Sequence, residues 1–251
     1  MQTPSRYTFR LSVPLMAVAI SLSLTTLMTA QKQTDLVSSW SGSTARVFSG
    51  DNDGYLVNGA KIGAGKINKG FLFDGIDDYV LVPPDPRLNV GAQGSIALWM
   101  RADPTNLMDT CCQGLVTTDF FGVSIASAPA GVVFFVRTTD GEWVHTSDTD
   151  GCSQCAGGWP VGSGEWHHIV GTYDGTQLQL YVDGVAVGNP RFHTGTVMPM
   201  LAGAFLSIGS EDGRRDAFHE PRYFHGNIDE VAIYKRALTP VEVSDLFLRV
   251  K

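Results

Sequence analysis

The chain has 251 residues, of which 43% are hydrophobic and 17% charged, with 28 Gly, 12 Pro and a formal net charge of −7. These values suit one sizeable hydrophobic core and exclude a collagen-like, coiled-coil or disordered chain. The acidic balance, with no cluster of Lys and Arg, argues against nucleic acid as a partner, because such binding depends on clustered cations that release counterions.

Residues 1–10 carry Arg6 and Arg10 and no acid, and Leu11 to Met28 run without charge before Thr29-Ala30-Gln31. This is the layout of a secretory signal. The apolar run is long for a signal, Pro14 interrupts it, and Met28 stands three residues before a cut at Ala30, so an uncleaved anchor remains the other reading. The organisation expected is residues 1–30 as signal peptide or anchor and 31–251 as one domain. The protein is then secreted, to the extracellular space or the periplasm, with membrane contact only if the N-terminal segment stays uncleaved. No Asn-x-Ser/Thr sequon is present.

Leu36 to Trp40 reads as a first short strand, and Gly50-Asp-Asn-Asp-Gly54 then breaks the chain. Asp51, Asp53 and Gly54 suggest a calcium loop. In an EF-hand frame, however, position one is Ser49 and position twelve is Ala60, so a turn is the better reading. Phe71 to Val82, Ser95 to Arg101, Gly122 to Thr138, Trp166 to Tyr173, Leu178 to Val182 and Val185 to Val187 are rich in branched and aromatic residues, as strands are. Asp-Gly, a hairpin step, occurs at 53, 74, 140, 150, 174, 183 and 212. The pattern predicts an all-β, two-sheet antiparallel sandwich.

Near the C-terminus, alternation places Asn227, Asp229, Val231 and Ile233 on one face, which would set a carboxylate among apolar side chains. Thr239 and Glu242 form a capping box around Pro240, and Val243, Leu246 and Phe247 make one stripe. The spacing predicts one short helix lying on the sheet.

Several blocks resemble the LamG-like jelly-roll domain of the concanavalin A-like lectin and glucanase superfamily, over roughly residues 36 to 248. They are Leu36–Trp40, Gly65–Val80 with its Phe-Asp-Gly-Ile-Asp-Asp-Tyr-Val run, Ser95–Trp99, Glu165–Val170, Leu180–Gly184, Ser207–Gly209 and Gly226–Val231. The resemblance implies a jelly roll of about six strands per sheet and an adhesion or sugar-binding role. It also implies a structural calcium ion, Ca2+, with Asp229 of the Ile-Asp-Glu-Val block as a ligand. Many relatives carry two acids just after the first Trp, where this chain has Ser41-Gly-Ser-Thr-Ala-Arg-Val47. Asp53 is the candidate substitute ligand, and backbone N–H groups are the alternative partners for Asp229.

Cys111, Cys112, Cys152 and Cys155 fall in loops. Behind a secretion signal they read as disulfides joining one loop to the other, with a thiolate zinc site as the rival. Phe121, Trp143, His145 and Trp159 lie near these cysteines and read as a sugar-stacking platform or as loop packing. Trp99, Trp166 and His168 read as core. The Glu-x-Asp-x-Glu and Glu-x-Asp-x-x-Glu spacings of the jelly-roll glucanases are absent, which points away from catalysis. The expected function is a secreted, non-catalytic module that binds carbohydrate or a glycosylated surface. The alternative is a protein-interaction domain without a sugar site, and a polysaccharide hydrolase ranks last.

Overall fold

From Leu36 onward, runs of branched and aromatic residues form strands, and Gly, Asn and Asp separate them. The computed structural model describes residues 35–42, 52–105, 113–125, 131–148, 164–211 and 222–250. The first strands are β1 Leu36–Trp40, β2 Tyr55–Val57, β3 Lys61–Ala64, β4 Lys69–Asp74, β5 Tyr79–Val82, β6 Gly94–Ala102, β7 Gln113–Thr117 and β8 Phe121–Ile125. There follow β9 Val132–Arg137, β10 Trp143–Ser147, β11 His167–Tyr173, β12 Gln177–Val182, β13 Val185–Phe192, β14 Leu206–Ile208, β15 His225–Tyr234 and the helix α1 Pro240–Leu248.

Residues Leu36–Lys251 make one compact unit. An 8-stranded sheet runs β13-β12-β11-β6-β15-β4-β3, with β1 also on β15, and a 7-stranded sheet runs β10-β9-β8-β7-β14-β5-β2. Every pairing is antiparallel. Both sheets are wider than the six strands expected. The core lies between them, where Ile96, Leu98 and Met100 of β6 and Ile228, Val231 and Ile233 of β15 join Leu115, Phe134, Val136 and Ile208. Each such side chain contributes about 1.5–3 kcal/mol by leaving water. Between β12 and β13, Asp183 and Gly184 both hold positive φ, at 50° and 82°. This is the two-residue turn that Asp-Gly favours.

The predicted alternation along β15 fails at one point. Its edge pairs with β4 at His225–Ile228 and with β1 from Val231 on. Against β6 the register slips between Asp229 and Ala232, and Glu230 takes a left-handed φ of 49°. This bulge inserts one residue and reverses the phase. Ile228, Val231 and Ile233 all face the core. Asp229, opposite Trp99, therefore lies on the outer face and not beside Val231.

Helix α1 starts as predicted. The Thr239 hydroxyl accepts from the Glu242 N–H at 3.3 Å, and the Glu242 carboxylate accepts from the Thr239 N–H at 3.0 Å. Val243 packs with Ala97, Val170, Tyr181 and Leu238 on the outer side of the eight-stranded sheet. Phe247 stacks on Trp99, with ring centroids 5.7 Å apart.

Candidate functional site

On β9, Phe134 and Val136 fill the core, which turns Phe135 and Arg137 to the other face of the seven-stranded sheet. β10 lies at the edge and pairs Trp143 with Arg137 and His145 with Phe135, so both expected site residues share that outer face. Trp143 is 38% exposed. Its indole rests on Phe135 and Phe120, at centroid distances of 5.9 and 6.2 Å. The Arg137 guanidinium lies 5.3 Å from the Trp143 ring centre and 5.6 Å from that of Phe120. His145 is exposed beside them.

The preceding turn holds Trp143 in place. Asp140 accepts from the Thr138 hydroxyl at 2.5 Å and from the Glu142 N–H at 3.3 Å, and it meets His193 at 3.0 Å. The Thr138 bond, followed by the Glu142 and His193 bonds, holds its carboxyl below the usual range. Further along the same row of the sheet, His145 and Phe135 are followed by Gly122, Thr117 and Ser207. The Phe135 ring lies where a Cβ on Gly122 would be, 2.7 Å from that position. Gly122 therefore gives the aromatic shelf its room. Ser124, Thr117, Ser207 and Ser210 make the inner part of this outer face polar, with the Thr117 hydroxyl donating to the Ser210 carbonyl at 2.9 Å.

Phe121 is not part of this platform. It is 3% exposed, belongs to the core and sets its ring edge against Phe134 at 5.6 Å. Strand alternation points Phe121 inward, and its neighbour Phe120 supports Trp143 instead. Trp159 and the four cysteines, Cys111, Cys112, Cys152 and Cys155, lie outside the described residues. Their flanking strands are described. Gln113 pairs with Ile125, Ile125 with Val132, and Val133 with Ser147, so Gln113 and Ser147 lie toward the same end of the sheet. Trp143 starts β10 at the opposite end from Ser147.

The other expected residues are elsewhere. Trp99 and His168 are buried, but on the outer face under α1 rather than in the central core. Trp166 is half-buried just before β11, with Arg101 5.4 Å from its ring centre. His167 meets Asp183 at 2.9 Å, and Asp183 also accepts the His168 N–H at 2.9 Å. Burial alone would raise the Asp183 pKa, but these bonds outweigh it and lower the value.

Asp229 is fully buried. One oxygen accepts from the N–H groups of Glu230 at 2.8 Å and Gly42 at 3.4 Å, and the other from the Ile67 N–H at 2.9 Å. Burial pushes its carboxyl above the usual range, against the pull of these donors. Calcium takes oxygen ligands. The partners described around Asp229 are N–H groups, which do not fit a cation there. Asp53 is exposed and makes no bond to Asp229. Among the described residues, Asp74, Asp77 and Asp78 come within metal spacing, with ligand atoms 4.8 Å or less apart. Two of them brace their own turn, Asp74 accepting the Ile76 N–H at 2.8 Å and Asp78 the Asp74 N–H at 3.2 Å.

Two antiparallel sheets packed face to face, one with an aromatic and polar outer face and the other covered by a helix, define a lectin-like jelly-roll sandwich. The chain belongs to the concanavalin A-like lectin/glucanases superfamily, whose model matches residues 74–244. Domain 4 of an extracellular GH43 arabinanase from Geobacillus stearothermophilus, solved with arabinotriose, is similar at 20% identity and a TM-score of 0.62, covering 84% of this chain and 98% of that one. The binding domain of Paraclostridial Mosquitocidal Protein 1 is similar at 18% identity and a TM-score of 0.64, covering 86% of this chain and 52% of that one. The binding domain of botulinum neurotoxin DC, solved in complex with SialylT, is similar at 11% identity and a TM-score of 0.63, covering 87% and 52%. The chain thus spans about half the length of these toxin domains. At these identities the likeness shows the fold.

Proposed function

We propose that the protein is a secreted, non-catalytic binding module that takes carbohydrate on the outer face of its seven-stranded sheet. The observation that carries this reading is the exposed Trp143 ring, held by Phe120, Phe135 and Arg137 with His145 beside it. A flat apolar ring with polar groups alongside suits the CH face and hydroxyls of a sugar. The similar arabinanase domain was solved with arabinotriose, which supports this ligand class. The missing glucanase carboxylate spacing supports a role without catalysis. The charged-then-apolar N-terminus supports secretion. A glycan array probed with the full-length protein tests the reading. Binding to defined glycans is the expected result, and an array without bound glycans, together with capture of a protein partner insensitive to sugars, would establish the protein-interaction alternative.

A further inference from the structure

The opposite sheet carries a second feature. A cavity of about 480 Å³ opens on the outer face of the eight-stranded sheet, between β1, the turn after β3 and helix α1. That volume falls in the range of small-molecule sites. Its walls are mainly apolar, with Trp99, Ile67 and Leu246 among them, and they include the titratable side chains His168, Glu230 and Tyr234. His168 is 3% exposed, and its Nδ1 has no hydrogen-bond partner among the described residues. The Glu230 carboxylate is half-buried and takes part in no hydrogen bond or ion pair among them. Buried polar groups are normally paired, so the unpaired His168 nitrogen, beside a half-buried carboxylate that also lacks a partner, is an unmet demand for a ligand.

The backbone points the same way. Glu230 is the bulge residue of β15 with a φ of 49°, a conformation costly for a residue with a side chain. The bulge adds Glu230 to the cavity wall beside Ala232 and Tyr234. Asp229, the residue before it, is a second buried carboxylate. Burial first, and then Asp229, pushes the Glu230 carboxyl above its ordinary value. Burial pushes His168 down to about 4, so its imidazole is neutral near pH 7 and offers a hydrogen bond without charge. The Trp99 ring already accepts an ammonium, since Lys66 Nζ lies 4.2 Å from its centre. The Glu230 carboxylate, together with an indole that accepts an ammonium, favours cations.

We propose that this cavity binds an organic cation of monosaccharide size, an ammonium group placed between Glu230 and Trp99 with its body against the apolar wall and a polar group on His168. An amino sugar and a quaternary ammonium compound share this chemistry. The cavity is on the other sheet from Trp143, so its occupancy is measured separately from glycan binding.

The test is isothermal titration of the full-length protein with glucosamine hydrochloride and choline chloride, with glucose and glucuronate as controls. Saturable binding of at least one ammonium compound is expected, at least tenfold tighter than that of either control. Glucosamine alone would mark the amino sugar as the source, and choline alone the quaternary ammonium. Glu230→Gln, which keeps shape and removes charge, weakens it at least tenfold with an unchanged melting profile, while Lys66→Ala tightens it by removing the competing ammonium. Failure of both cations to bind, glucose binding as tightly as glucosamine, or Glu230→Gln without effect would overturn the proposal.

Discussion

Asp229 and Ile67 are 162 residues apart in sequence, yet the Asp229 carboxylate accepts the Ile67 N–H at 2.9 Å. With Gly42 and Glu230, this bond ties β1, the turn after β3 and the bulge of β15 together. Asp229→Ala leaves three N–H donors without that acceptor. Of the three bonds only that of Gly42 is fully buried, and a buried donor left unpaired costs about 1–3 kcal/mol, so a loss of about that size is expected in denaturant unfolding. Because these donors occupy the carboxylate, chelator and added calcium leave the melting temperature unchanged. A rise that saturates with calcium would contradict this account, since a ligand of the folded state must stabilise it.

Arg236 binds Glu242 through both guanidinium nitrogens, at 2.6 and 2.9 Å. This ion pair, with the Thr239 N–H bond, holds the Glu242 pKa at about 2. The folded value lies below the unfolded one of 4.5, so the contribution is present above pH 4.5 and is lost as pH falls toward 2. Glu242→Gln keeps the capping box but loses the ion pair. A cost of about 1 kcal/mol at pH 7, shrinking by pH 2, is expected in urea unfolding.

His168 is stacked near Trp99 and Phe247, at 5.1 and 6.2 Å. Desolvation lowers its pKa from 6.5 to about 4, against the pull of Asp183. Between those values the unfolded chain binds the proton first, so stability present above pH 6.5 is lost as pH falls to 4. The loss is of the order of 3 kcal/mol. His168→Phe removes the titration, and its stability profile over this window is expected to be flatter than that of the wild type. Parallel profiles would refute the assignment.

Gln113 and Ser147 lie toward one end of the seven-stranded sheet, and we propose that disulfides link Cys111 or Cys112 to Cys152 or Cys155. Closing a loop of about 40 residues stabilises by roughly 4 kcal/mol on the chain-entropy model. Mass mapping of the unreduced protein should recover peptides joined between the two segments, and reduction should lower the melting temperature. Free thiols or bound zinc would contradict it.

The sequence showed what depends on local pattern. Strands β1, β6 and β12, the Asp183-Gly184 turn and the Thr239 capping box all follow from residue type and spacing. The strands β3, β7 and β10 were not legible because polar or small residues interrupt their apolar alternation, and β2 because three residues are too few to show a period. The bulge at Glu230 was hidden for another reason: its cause is that β4 and β1 share one edge of β15, a tertiary fact that no local period records. That bulge moved Asp229 to the outer face. Phe121 packs in the core against Phe134 instead of joining the platform, because one residue of phase decides which side chain of a strand turns inward. The cavity at His168 brings together segments far apart in sequence, so only the fold reveals it.

The most direct test of the proposed function is titration of a glycan identified on the array into wild-type protein and into Trp143→Ala. A tenfold loss of affinity corresponds to about 1.4 kcal/mol. The account predicts a loss of at least that size, with an unchanged melting temperature because the indole is partly exposed at a sheet edge. Equal affinity of the two proteins for the same glycan would contradict it.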